Sequence, residues 1–113
     1  MTMKASGPDT STAVALFRGL ADPARLAVVQ HLARHGEHKV TDLVAHVGLA
    51  QSTVSAHLAC LKDCGLVNVR PQGRSSFYSL ARPELIDLLR SAEALLAATG
   101  HDVVLCPAYG REK

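Results

Sequence analysis

Apolar side chains recur every three or four residues along most of the chain, which is the spacing typical of amphipathic helices. Asp22-Pro23 separates the first two helical segments, because Asp caps a helix and Pro fits its first position without losing a needed N–H group. Glycines at 36, 65 and 100 end later segments. The predicted helices cover residues 11–21, 23–35, 40–47, 51–64 and 83–99.

The spacing of apolar residues changes after Gly65, from the three-to-four-residue steps of a helix to the alternation of a strand. Residues 66–70 (LVNVR) and 75–80 (SSFYSL) predict two strands, and residues 71–74 (PQGR) predict the turn between them. Two short helices separated by a tight break at Gly48 and followed by a hairpin describe a winged helix-turn-helix. The expected fold class is therefore mainly α with a β-hairpin wing, an α+β fold that works as a dimer.

The length of 113 residues fits one domain and leaves no room for a second core. We expect a flexible arm at residues 1–10, the winged helix-turn-helix with its dimerisation helices at 11–100, and a tail at 101–113. Apolar residues make up 48% of the chain, which excludes a disordered protein. Aromatic residues make up only 4%, which favours an aliphatic, helical core.

Charge and targeting features narrow the function class. The net charge is only +2, so a basic surface must come from clustering of charges. No apolar run approaches the ~20 residues of a membrane span, and the first ten residues contain no apolar block of a signal peptide. A cytoplasmic location with reduced thiols is expected. An enzyme is not expected, because the chain has no Gly-rich phosphate loop and no recognisable nucleophile–histidine arrangement.

The fourth predicted helix has the pattern of a DNA recognition helix. Small hydrogen-bonding side chains are needed where such a helix enters the major groove, and acidic side chains are absent there. The predicted wing carries polar and cationic side chains that can reach phosphates or the minor groove. A solvated polar face is the alternative for each residue taken singly. The candidate DNA-binding residues are Gln51, Ser52, Thr53, Ser55 and His57 on the helix, and Arg70, Gln72 and Arg74 on the wing.

Several separate motifs in this order resemble the ArsR/SmtB family of metal-responsive repressors. They are GLADPARL at 19–26, VGLAQSTVSAHL at 47–58, LKDCGLV at 61–67, and a wing with GR at 73–74 and YSL at 78–80. The resemblance covers residues 14–96. It implies a homodimer built on the first and last helices, which binds double-stranded operator DNA without metal and binds it more weakly with metal.

The last predicted helix supports a dimer independently of this resemblance. Its apolar residues occupy more than one stripe, which a domain of this size cannot easily bury alone. A twofold dimer would also place two recognition helices about one DNA turn apart. The apolar residues are Leu85, Ile86, Leu88, Leu89, Leu95 and Leu96.

Cys60 and Cys64 lie four residues apart on the predicted recognition helix. Side chains at this spacing share a helix face with Cβ atoms ~5–6 Å apart, so the two thiolates can share one ion. Thiophilic ions usually take three or four ligands, and Cys106 in the tail is the candidate third. His101 and Asp102 are possible additional ligands, although His101 could instead cap the last helix.

The family resemblance narrows the type of sensor. The cysteine site of arsenic sensors is missing from residues 40–43, and the last helix carries Asp87 without the histidines of zinc sensors. The spacing Cys-Leu-x-x-Cys-Gly-Leu at 60–66, with one tail cysteine, is similar to the CmtR type of cadmium and lead sensor. In that type the tail cysteine comes from the other subunit. Cd(II) or Pb(II) is the inducer this implies, with Zn(II) a weaker binder or a competitor that does not induce.

Two alternatives for the cysteines stay open. A buried Cys is often only a small apolar side chain. Oxidation of the thiols could also release DNA, which would make the protein a redox-sensing repressor of the same fold. An i, i+4 pair on a helix is poorly placed for an unstrained disulfide, and this disfavours the redox alternative. The remaining histidines at 31, 35, 38 and 46 are predicted to be scattered, mostly surface residues.

Overall fold

A computed structural model describes residues 9–105 of the chain. Every predicted helix is present, with ends that differ from the prediction by no more than a residue or two. Within the described residues no helix combines the length and apolar content needed to span a membrane. The elements in chain order are α1 (Ser11–Leu20), α2 (Pro23–His35), β1 (His38–Lys39), α3 (Val40–Val47), α4 (Gln51–Asp63), β2 (Val67–Gln72), β3 (Ser75–Leu80) and α5 (Glu84–Ala98).

The core is aliphatic and lies where α2, α3, α4 and α5 meet. Val54, Leu58 and Leu61, which form the inward face of α4 at helical spacing, are all fully buried. Leu43 of α3 is equally buried, so the two helices of the helix-turn-helix share one core. On α2 the buried residues are Val28, Val29 and Leu32, whereas Leu26 is only partly buried.

Asp22 caps α2 as predicted. Its carboxylate accepts hydrogen bonds from the backbone N–H groups of Ala24 (2.9 Å) and Arg25 (3.1 Å), and its own backbone is extended. The hydrogen bond from Arg25 lowers the pKa of Asp22 below its usual value. The cap fixes the corner between α1 and α2.

Removing this cap by Asp22→Ala is expected to lower the Tm by several degrees, because two backbone N–H groups lose their acceptor. Asp22→Asn keeps a capping oxygen and should melt near the wild type. A carboxyl whose pKa is lowered by folding stabilises the fold at any pH above its unfolded pKa. The difference in Tm between wild type and Asp22→Ala should therefore shrink as the pH falls through the folded pKa of Asp22, which is below 3.8. Thermal melts at neutral and acidic pH measure both effects; equal melting of wild type and Asp22→Ala at neutral pH would contradict this role.

The wing is longer than predicted. Pro71 and Gln72 were expected in the turn but belong to β2, where they pair with Ser76 and Ser75. Proline is tolerated there because β2 is an edge strand of the sheet, whose order is β1-β3-β2. The turn is reduced to Gly73 and Arg74, and Gly73 supplies the positive φ of 62° that such a tight hairpin needs.

A third strand was not predicted. β1 pairs antiparallel with β3, with His38 opposite Tyr78 and Lys39 opposite Phe77. A strand of two residues is too short to show an alternation of polar and apolar side chains, so β1 can be recognised only from its pairing with β3. Its effect is to fasten the start of α3 to the wing.

Candidate functional site

The front of α4 presents a polar face to solvent. Gln51, Ser52, Thr53 and Ser55 are all exposed in the first turns of the helix. Ala50 offers no side-chain cap, so the first N–H groups of α4 have no acceptor from that residue. Unpaired N–H groups at a helix start favour anions such as phosphates.

An open groove of about 400 Å³ joins this polar face to the wing. Gln51 and Ser55 line one side and Arg74 the other, so the structure brings these predicted residues together. Lys39 also lines the groove, and the sequence analysis did not identify it. It was missed because the short strand β1, which holds Lys39 beside β3, could not be predicted.

Arg70 is placed differently from Arg74. Its Nε and Nη2 donate to the two carboxylate oxygens of Glu37 at 2.9 and 2.8 Å, and its Nη1 donates to the side-chain oxygen of Gln72 at 2.7 Å. The guanidinium also lies over the Phe77 ring, 5.1 Å from its centre. The Arg70 guanidinium lowers the pKa of Glu37, so the carboxylate stays charged and offsets the charge of Arg70.

His57 does not lie on the exposed polar face. Its Nδ1 is 3.2 Å from Nη1 of Arg25, and its Nε2 is 3.8 Å from the carboxylate of Asp22. The physical reason is its position three residues after buried Val54, which puts it on the flank of the buried stripe. The expectation that it shares the outer face is therefore wrong. His57 packs against the start of α2.

Cys60 and Cys64 lie at the opposite end of α4 from the polar face. Both are free thiols and both are half-buried. The Cys64 Sγ lies 3.7 Å from the backbone oxygen of Ala15 in α1. Gly19 of α1 approaches closely as well, since a Cβ placed on it would be 3.4 Å from the same sulfur. Cys64 therefore lies at the contact between α4 and α1.

Burial raises the pKa of the Cys64 thiol, and the neighbouring Cys60 thiol raises it further. The protein without metal therefore keeps this thiol protonated at neutral pH. Because a metal ion binds the thiolate, binding must release a proton. Two adjacent sulfurs fit a soft, thiophilic ion and supply part of its ligand set.

The remaining predicted ligands are not gathered around this pair. Cys106 lies outside the described residues. His101 and Asp102 are exposed, and the His101 Nδ1 is 3.3 Å from the hydroxyl of Thr99. Within residues 9–105 no three His, Cys, Asp or Glu side chains are already arranged to hold an ion.

The chain before Cys106 packs on its own domain. The backbone N–H of Leu105 donates to the carboxylate of Glu93 on α5, and Leu105 contacts the core. Gln30 of α2 donates to the backbone oxygen of Val104 at 3.3 Å. These contacts fix where residues 104 and 105 run.

A helix-turn-helix made of α3 and α4, with a polar first turn on α4 and a hairpin beside it, defines a winged helix-turn-helix DNA-binding domain. A family model for "Bacterial regulatory protein, arsR family" matches residues 22–69. A probable mercury resistance operon repressor from Streptomyces lividans is 38% identical over 109 residues, which are 94% of this chain and 85% of the relative. The chain therefore belongs to the arsR family of bacterial regulatory proteins.

Further relatives agree with this assignment. The transcriptional regulator CmtR of Mycobacterium tuberculosis is 39% identical over 87 residues, 77% of this chain and 73% of that protein. A homodimeric winged helix-turn-helix domain from Mycobacterium bovis, a possible ArsR-family regulator, has a TM-score of 0.71 and 27% identity, covering 88% of this chain and 98% of that one. The predicted family and fold class are confirmed, as is the prediction of a DNA-binding regulator rather than an enzyme.

Proposed function

We propose that this chain is a metal-responsive repressor that works in the cytoplasm. Its homodimer binds operator DNA through α4 and the wing, and releases it when a soft heavy-metal ion binds Cys60 and Cys64. One observation carries the proposal: two free, adjacent thiols terminate the same helix whose first turn presents the polar face. DNA contact and metal binding thus act on a single rigid element.

The DNA-binding part rests on the groove between α4 and the wing. Gln51, Ser52, Thr53 and Ser55 are exposed polar side chains that can hydrogen-bond to base edges, and Arg74 lines the same groove as Gln51 and Ser55. Lys39 adds a second cation to the groove. Three other predicted residues contribute less directly to DNA binding, namely Gln72, Arg70 and His57. Arg70 and Gln72 bond each other and Arg70 is paired with Glu37, whereas His57 orients Arg25.

Arg74→Ala is expected to weaken operator binding and to reduce its dependence on salt. Each lost phosphate contact removes ~0.9 from the slope of log affinity against log salt, so a dimer that loses two contacts should lose about 2. Fluorescence anisotropy titrations at several salt concentrations measure the slope. Arg90→Ala on α5 removes the same charge from an exposed site remote from the groove and should leave the slope unchanged; equal slopes for wild type and Arg74→Ala would remove Arg74 from the interface.

The homodimer is supported by exposed apolar side chains on the two helices that the family resemblance assigns to the interface. In the single chain Val14 and Phe17 of α1 are 46% and 58% exposed, and Leu95 of α5 is 68% exposed. Side chains of this size and exposure favour burial against a partner. The Mycobacterium bovis neighbour is itself homodimeric.

The metal specificity follows from the ligand chemistry. Thiolates favour Cd(II) and Pb(II) over harder ions, with Zn(II) binding more weakly or without induction. Cys106 is the proposed third ligand, from the tail of either subunit, with His101 and Asp102 as possible additions. The name of the Streptomyces lividans relative refers to mercury, so Hg(II) belongs among the ions to be tested.

The contact between Cys64 and α1 links the thiol pair to the dimer. The Cys64 thiol lies against the Ala15 carbonyl. Loss of its proton on ligation would withdraw the sulfur from this contact and change how α4 packs on α1. A coupling of ~1–3 kcal/mol would lower operator affinity about 5- to 150-fold, and DNA would weaken metal binding by the same factor.

The test is a gel-shift assay with a duplex selected from random sequence by the metal-free protein. We expect a retarded complex without metal and its loss on addition of Cd(II), Pb(II) or Hg(II), with Zn(II) less effective. A complex that resists all of these ions would contradict the proposal. Release by peroxide in the absence of metal would instead identify the protein as a redox sensor.

A further inference from the structure

Four histidines that the sequence predicts to be scattered lie together, ring against ring, between α2, β1 and α3. The ring centre of His31 is 4.6 Å from that of His35, 4.8 Å from that of His38 and 4.0 Å from that of His46. The prediction is wrong because it considered each residue alone. His31 and His35 share a face of α2, and the packing of α3 on α2 brings His46 to the same place.

We propose that this histidine cluster (His31, His35, His38 and His46) is a second metal site, distinct from the thiol pair, for a borderline divalent ion such as Zn(II), Ni(II) or Co(II). Neutral imidazole is the ligand that these ions prefer. The cluster contains no sulfur, so it would discriminate against the soft ions proposed for Cys60 and Cys64. It lies on different helices from that pair, at the base of the helix-turn-helix.

The spacing of the rings supports the proposal. Two imidazoles bound to one tetrahedral Zn(II) ion have ring centres about 5 Å apart, given Zn–N distances of ~2.0–2.1 Å. The three separations from His31 range from 4.0 to 4.8 Å, and His35 and His38 are 6.0 Å apart. Shifts of about 1 Å would bring these four separations to that spacing.

The nitrogen atoms add a second, independent observation. The Nδ1 of His31 is buried and has no hydrogen-bond partner, an unfavourable state that a bound ion would relieve. The Nδ1 of His38 lies 3.0 Å from the backbone oxygen of Gly36. A ring nitrogen held by a carbonyl leaves the other nitrogen to face a metal, as in many metal sites.

The solvent access of the histidine cluster and the protonation state of His31 also favour the binding of a metal ion. An open pocket of about 240 Å³ reaches the cluster from solvent, and His35 and His46 are exposed enough to turn their rings. Burial, together with the charges of His46, His35 and His38, lowers the pKa of His31 to about 4, whereas Asp42 opposes the shift. His31 is therefore neutral at physiological pH, the form that binds metal. Because the rings now pack against one another and are not arranged to hold an ion as they stand, ligation requires them to rotate.

The test is a Co(II) titration of a chain in which Cys60, Cys64 and Cys106 are replaced by serine. We expect visible ligand-field bands without thiolate-to-cobalt charge transfer. His35→Gln and His46→Gln should each weaken binding at least ~10-fold. His101→Gln removes an exposed histidine outside the cluster and should have no effect. Absence of binding, or equal binding by the His35→Gln and His46→Gln variants, would overturn the proposal.

The outcome is independent of the thiol pair, because the titrated chain has no cysteine. If the triple replacement does not fold, imidazole proton resonances of the intact chain provide the same test. Addition of Zn(II) should shift the resonances of all four cluster histidines together and leave that of His101 in place. A shift of His101 alone, or of none, would count against the site.

Discussion

Cys60→Ser is expected to abolish the release of operator DNA by Cd(II) while leaving metal-free DNA binding intact. The substitution removes one of two adjacent thiols and is nearly isosteric. The polar front of α4 is more than one helical turn away, so the DNA-binding surface should be unchanged. The expected loss is the whole metal effect, about 5- to 150-fold in operator affinity.

Anisotropy titrations of operator DNA with and without Cd(II) measure this loss. Ala59→Ser is the matched control, because it places the same hydroxyl on the neighbouring, exposed position of the same helix and keeps both thiols. The control should respond to Cd(II) as the wild type does. A Cys60→Ser protein that still releases DNA fully on addition of Cd(II) would show that the site is elsewhere.

Leu95→Glu is expected to convert the protein to a monomer and to reduce operator affinity at least ~100-fold, since joining two DNA-binding units can raise affinity by 10²–10⁴. Leu95 is 68% exposed in the single chain, so the glutamate costs the monomer little. In a dimer that covers α5, the same carboxylate would be buried against apolar side chains, which is strongly unfavourable. The effect should therefore fall on association and not on folding.

Analytical ultracentrifugation gives the oligomeric state, and circular dichroism checks the fold. Phe17→Glu, on the other proposed interface helix, should act in the same direction. Ala45→Glu adds the same charge to the exposed side of α3 and should leave the mass of the dimer unchanged. If Leu95→Glu and Phe17→Glu both remain dimeric, the interface does not involve these faces of α1 and α5.

The parts of the fold that were predictable from sequence are those fixed by local chemistry. The stripe Val54, Leu58 and Leu61 identifies α4 and its buried face, because four-residue steps return to the same side of a helix. Asp22-Pro23 identifies the start of α2 through the hydrogen bonds that Asp makes to the next turn. The adjacency of Cys60 and Cys64 follows from the same helical geometry.

The parts that were not predictable depend on contacts between distant segments. The pairing of Arg70 with Glu37 joins residues 33 positions apart and offsets the charge of Arg70, which stays exposed on the wing. Pro71 could be recognised as a strand residue only once β2 was known to be an edge. The histidine cluster likewise exists only because α3 packs on α2.

The candidate site likewise contains features that local sequence predicts and features that depend on contacts between distant segments. Gln51 and Ser55 were identified from their position on one helix, whereas their meeting with Arg74 and Lys39 in one groove is a tertiary feature. The orientation of His57 toward Arg25 is tertiary as well. The proposed third ligand of the thiol pair lies in the tail of either subunit, and the helical spacing of apolar residues cannot predict contacts of that kind.

The most direct test of the central claim is a Cd(II) titration of the reduced protein bound to fluorescent operator DNA. Thiolate-to-metal absorption and DNA anisotropy are recorded on the same sample. We expect the two signals to change together and to saturate at the same ratio of ion to chain. DNA release without thiolate absorption, or complete thiolate ligation with the operator still bound, would contradict the claim that these sulfurs control the affinity of α4 for DNA.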